Sequence, residues 1–169
     1  MSIRPRPARA SRFGFTMIEL MVVVAIAAIV LALAAPALRQ MTLNSRVGSE
    51  AGRWAASVRL ARSEAVKRNT SVRMCISINQ TSCAASGGWQ QGWIVLVGTT
   101  VIQAEPGSGL GLRISEVASK TALDFDATGA GSTAASVTVC SDDGAREKVV
   151  SVGATGRVSL RNTNTGTCP

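Results

Sequence analysis

The chain has 169 residues with 18 Lys or Arg, 10 Asp or Glu and no His, a formal net charge of +8. That length leaves room for one modest domain beside any membrane segment, and the lack of histidine removes imidazole both as a general base and as a metal ligand. Arg4, Arg6, Arg9 and Arg12 all fall in the opening stretch, so part of the high charge belongs to a leader and not to a folded surface.

Residues 1–14, MSIRPRPARASRFG, are rich in Arg and Pro and too polar to pack. From Phe15 to Leu38 the only polar side chains are Thr16 and Glu19. About 20 apolar residues in a helix cover the ~30 Å of a bilayer's hydrocarbon, so this run predicts a membrane-spanning helix. Glu19 is the odd residue, because a carboxylate at full depth costs roughly 2.5 to 3.5 kcal/mol and is seldom placed there without a use. A secretory signal peptide is the alternative. Against it, the run is long for a signal core, carries an acid at its start and is not followed by a small-residue cleavage site.

A bend is expected at Pro36, which has no N–H to give the ladder. Beyond it, Leu43, Val47, Ala51, Trp54, Val58, Ala61 and Ala65 recur at intervals of four and three, which predicts an amphipathic helix ending near Asn69. Arg46, Arg53, Arg59, Arg62 and Lys67 lie mostly off that stripe, and positive charge concentrates over residues 39–73. The period then changes to two. Val72, Met74, Ile76 and Ile78 alternate with polar or small neighbours, predicting a strand with one face on a core. Further strands are expected at 93–97, 101–104, 121–125, 136–140, 147–152 and 157–160. Loops are expected at 105–111 and 127–135, with Asp143-Gly144 as a hairpin turn. The helix stripe and the inner face of the sheet would bury each other.

The four cysteines, Cys75, Cys83, Cys140 and Cys168, allow three pairings. Proximity favours Cys75 with Cys83 and Cys140 with Cys168. A zinc site is the rival reading, but no pair is spaced C-x-x-C and no His is present. Disulfides imply an oxidising compartment. Catalytic signals are sparse. Asp124 and Asp126 would share a strand face, which suggests calcium or acid chemistry, although a solvated face is the plainer reading. Glu64 and Arg68 are spaced for a helical ion pair, and Trp89 and Trp93 read as core more readily than as a partner surface.

A short basic leader ending in Gly14, then FTMIEL with its acid fifth after the glycine, then an unbroken apolar helix, resembles the class III signal of type IV pilins and type II secretion pseudopilins. The resemblance implies that a prepilin peptidase cuts after Gly14 on the cytoplasmic side, that Phe15 becomes the N-methylated terminus, and that the helix is kept as membrane anchor and filament core. Glu19 would then pair in the filament with the free amine of Phe15 on a neighbouring subunit, across a medium of low dielectric constant.

ARSEAVKRN at 61–69, the following VRMC, GWQQGWIVL at 88–96, LDFDATG and ATGRVSL at 154–160 are similar to the GspH/FimT family of minor pilins and pseudopilins, over nearly the whole chain. The family implies an α+β, type IV pilin-like fold: a long N-terminal helix, first transmembrane and then amphipathic, packed on a C-terminal antiparallel β domain. The organisation expected is a leader at 1–14, a transmembrane half-helix at 15–38, an amphipathic half-helix at 39–69 and a periplasmic β domain at 70–169. The chain would cross the bacterial inner membrane once and enter a filament on assembly, at the tip or in the priming complex of a type IV pilus or a type II secretion pseudopilus. Its partners would be other pilins or pseudopilins, bound through the helix, and the peptidase. No cofactor, metal, small-molecule substrate or enzymatic activity is implied, and the leader, common to both machines, leaves pilus and secretion open.

A second functional reading is DNA uptake. Some members of the family are competence pilins that bind DNA through a GRxR tail motif, and the tail here reads Gly156-Arg157-Val158-Ser159-Leu160-Arg161, with the second arginine displaced. Were 156–160 a strand, Arg157 and Arg161 would share a face and meet two phosphates. The lack of tyrosine argues against base stacking, and ordinary surface arginines are the simpler reading.

Overall fold

The computed structural model describes residues 14–163 except 110, 133, 143 and 145. The chain divides into two compact units, Met1–Gln40 and Met41–Pro169. A 52-residue helix, α1 (Met17–Arg68), begins in the first and continues into the second.

In the first unit α1 carries an apolar surface that the chain leaves uncovered. Ile18, Leu31 and Leu33 are 73%, 68% and 74% exposed. The helix is long and apolar enough to cross a membrane, and Pro36 lies inside it without ending it.

The second unit holds the rest of α1 and eight strands: β1 (Val72–Ile76), β2 (Gly92–Val97), β3 (Thr100–Pro106), β4 (Leu112–Glu116), β5 (Ala122–Phe125), β6 (Ala135–Ser141), β7 (Glu147–Val152) and β8 (Val158–Thr163). They form two four-stranded sheets, β3-β2-β1-β5 and β4-β6-β7-β8, antiparallel throughout. The expected stripe is buried from Val47 through Ala51, Trp54, Val58 and Ala61 to Ala65; Leu43 at its start is only half-buried. These residues join Met74, Trp93 and Phe125 of one sheet and Val137, Val139 and Val150 of the other in a single core. Trp54 and Trp89 meet edge to face, ring centroids 5.6 Å apart.

Four expectations are corrected. The single sheet is two, because β4 leaves the first sheet to pair with β6 while β5 returns to β1. β4 itself was not anticipated, since Leu112 and Ile114 are its only large apolar residues and its bonds come from a distant partner. The strand expected to run through Ile78 stops at Ile76. There Asn79 Oδ1 accepts from the Thr81 and Ser82 backbone N–H groups, both at 3.0 Å, and turns the chain away, leaving Ile78 65% exposed. The loop expected at 105–111 begins only after Pro106, where β3 ends. In the turn between β6 and β7, Asp143 lies outside the described residues. Gly144 has φ +67°, and its N–H donates to the Ser141 carbonyl at 2.8 Å.

Candidate functional site

The start of α1 is built by Thr16. Its Oγ1 accepts from the Glu19 backbone N–H at 3.3 Å, and its carbonyl accepts from the Leu20 N–H at 3.2 Å. This is N-cap geometry, with Glu19 at the third helical position, where a carboxylate also complements the helix dipole. The T-x-x-E signature was legible in the sequence. Gly14 and Phe15 precede the helix, and Phe15 is 76% exposed. Thus the acid, the cleavage-motif glycine and the residue after it all stand on open surface at one end of an uncovered apolar helix.

The amphipathic half of α1 carries a charge network that its spacing did not reveal. Arg53 donates to Glu50 Oε2 at 2.9 Å and, through Nε and Nη2, to Glu105 Oε2 at 3.1 and 2.7 Å. Its guanidinium lies 5.7 Å from the Trp93 ring centroid. Glu50 is 5% exposed and its Oε1 has no partner. Burial pushes the Glu50 carboxyl up, against the pull of Arg53. The network ties α1 to β3.

The remaining site residues are dispersed. Cys75 and Cys83 are joined by a disulfide with Cα atoms 5.6 Å apart. Cys140 is also disulfide-bonded, while Cys168 lies outside the described residues. Asp124 is held by Arg73 of the neighbouring strand, Nε to Oδ1 at 2.6 Å and Nη2 to Oδ2 at 3.1 Å. Asp126 caps its own loop by accepting from Thr128 and Ala130, and the Thr128 hydroxyl holds its carboxyl below the usual range. No cluster suited to a metal occurs among the described residues. Glu64 and Arg68 form the expected helical pair, and Trp89 and Trp93 are buried.

Arg157 and Arg161 are placed differently from the strand reading. β8 starts at Val158, so Arg157 precedes it. Arg157 lines a cleft with Arg59 and Arg62 of α1, whereas Arg161 lies within β8 opposite Val149 of β7. This arrangement adds no support to DNA binding.

An uncovered apolar half-helix, capped at its start beside an acid and continuing into an amphipathic half that packs on antiparallel sheet, defines a pilin-like subunit. The model of type II transport protein GspH matches residues 50–156, and that of the prokaryotic N-terminal methylation motif matches residues 9–35. The chain belongs to the GspH family, one of structural minor pilins and pseudopilins and not of enzymes. The match and the methylation motif together imply prepilin peptidase processing and assembly with other pilins.

The fold is similar to the crystal structure of the type IV minor pilin FimU of Pseudomonas aeruginosa, with a TM-score of 0.56 at 20% identity, covering 73% of this chain and 90% of that one. It is also similar to the minor pseudopilin EpsH from the type 2 secretion system of Vibrio cholerae, with a TM-score of 0.53 at 11% identity, covering 69% and 97%. Comparison with curated proteins gives no match.

Proposed function

We propose that the chain is cut after Gly14, N-methylated at Phe15, and held in the bacterial inner membrane by residues 15–38 with its β domain in the periplasm. From there it enters a type IV pilus or type II secretion pseudopilus as a minor subunit of the tip or priming complex. The role is structural, with no catalytic step and no cofactor. The observation that carries this reading is the contrast along α1: Val47 and Trp54 are 0% exposed, while Ile18 is 73% exposed and Leu33 74%. A surface of that kind is covered by lipid before assembly and by neighbouring helices after it. Glu19 then sets register by pairing with the Phe15 amine of the next subunit, an ion pair made strong by the surrounding hydrocarbon.

The test is Glu19→Ala expressed in the native cell. Cleavage and membrane retention should persist, while incorporation into sheared filaments and machine function are lost. Normal incorporation of the variant would remove the register role.

A further inference from the structure

Arg59, Arg62 and Lys67 lie along one face of α1, and Arg157 meets them from the segment before β8, around a cleft of about 520 Å³. Arg59 and Arg157 make no ion pair among the described residues, and Lys67 faces Glu64 only at 3.7 Å. Arg62 is the fixed member. Its Nε donates to the Gly129 carbonyl at 3.1 Å, and its stem passes between two glycines in the left-handed region, Gly129 at φ +78° and Gly156 at φ +72°. A Cβ on Gly156 would fall 2.9 Å from Arg62 Cδ, and one on Gly129 would fall 3.1 Å from Arg62 Cγ. The two turns therefore hold the side chain with its terminal nitrogens available for a planar, two-oxygen acceptor.

The lining also contains Val66, 52% exposed, and the half-buried Val158. A peptide that alternates carboxylate and aliphatic side chains satisfies both the cations and the two valines, whereas the phosphates of a nucleic acid pair with the cations alone. We infer that this cleft receives an acidic, aliphatic segment of a partner subunit, one carboxylate seated on Arg62 between Arg59 and Arg157. The inference rests on the assembly reading, which supplies the partner.

The test uses the full chain in detergent micelles and a fluorescent, end-blocked Leu-Glu-Leu-Glu-Leu pentapeptide at low salt. Binding should weaken by about tenfold or more in Arg59→Glu/Arg157→Glu and be absent for the Gln-containing peptide. Arg161→Glu, a control for net charge outside the cleft, should leave it unchanged. Circular dichroism melts establish that each variant is folded. Equal binding of the Gln peptide, binding that survives the double variant, or equal loss in Arg161→Glu would overturn the inference. So would short duplex DNA binding more tightly than the peptide through Arg59 and Arg157, which would assign the cleft to nucleic acid. Because the measurement is made on the isolated chain, its failure leaves the Glu19 assembly test standing, and failure of that test leaves the cleft measurement standing.

Discussion

The indole Nε1 of Trp93 donates a 2.9 Å hydrogen bond to Ser57 Oγ, and both residues are fully buried. Ser57 Oγ in turn donates to the Arg53 carbonyl one helical turn back, at 3.2 Å. One hydroxyl therefore serves as acceptor and donor, joining α1 to β2 without leaving either residue's polar atom alone in the core.

Ser57→Ala removes that acceptor and strands the Trp93 N–H where water cannot replace it. A loss of about 1 to 3 kcal/mol is expected in denaturant melts of the full chain in detergent. Trp54 supplies the comparison, since its Nε1 has no partner. Trp54→Phe should show a packing cost alone, and a cost in Ser57→Ala well below about 1 kcal/mol would point away from the hydrogen bond.

The Glu50 carboxyl supplies a pH signature. Burial raises its folded value above the ordinary 4.5 while Arg53 opposes the rise. A raised carboxyl means that the folded chain holds its proton to higher pH than the unfolded chain does. Glu50 therefore lowers stability as pH climbs from about 4.5 through the folded value. Glu50→Gln cannot titrate, so its stability relative to the wild type should improve between acid and neutral pH. A difference that stays flat across that range would contradict the assignment. Arg53→Ala should be the more damaging change, by about 2 kcal/mol, because it leaves Glu50 and Glu105 without their shared cation. The full buried-pair penalty is not expected, since the Arg53 side chain is 34% exposed.

The sequence carried the local features and lost the non-local ones. Periodicity located the α1 stripe from Val47 to Ala65 because every fourth or third residue faces one core. It located β7, where Val150 and Val152 are buried and Ser151 between them is half-buried. The assignment of β4 to the second sheet depends on its register against β6, Ile114 opposite Val139, and no local pattern encodes that partnership. Arg53 read as an ordinary off-stripe cation for the same reason, since its partner Glu105 is 52 positions away. Thr16 was the opposite case, a cap signature only four residues long, Thr16 to Glu19, that lay open to reading.

The Cys75–Cys83 bond closes a short loop onto β1, an inner strand of its sheet, where Cys75 lies opposite Ile94 of β2 and Ala122 of β5. Closing a loop of that size restricts the unfolded chain by about 2.5 kcal/mol. Cys75→Ala/Cys83→Ala should lose that amount in denaturant melts. Reductant should lower the wild-type melting temperature and, in a background lacking the Cys140 and Cys168 thiols, leave the double variant unaffected.

Gly156 is expected to be the least replaceable glycine of the β domain. At φ +72° an L-residue is disfavoured, and a Cβ there would run into the Gly129 carbonyl as well as Arg62. Gly156→Ala should cost about 2 kcal/mol or more. Gly98 is also in the left-handed region, at φ +57°, but a Cβ there meets nothing within 4 Å. Gly98→Ala should therefore cost only about 1 kcal/mol, and similar losses at the two positions would mean that the Gly129–Arg62 packing contributes nothing.

Glu19 complements the helix dipole in the first turn and, in the proposed assembly, offers a charge to the next subunit, and a single alanine substitution conflates the two. Thr16→Val keeps the shape of the capping residue but removes the oxygen that accepts from the Glu19 N–H, a loss of about 1 kcal/mol of helix start. Glu19→Gln keeps the length and polarity of the side chain and removes only its charge. If register depends on an ion pair with the neighbouring Phe15 amine, Thr16→Val should enter filaments at near wild-type levels. Glu19→Gln should then be cleaved and retained in the membrane but not assembled, because an amide leaves the amine's charge uncompensated in hydrocarbon. Immunoblots of cleaved protein in membrane and sheared-filament fractions measure both steps. Equal loss of assembly in the two variants would instead make the residue a helix-starting device, with its charge incidental to the filament.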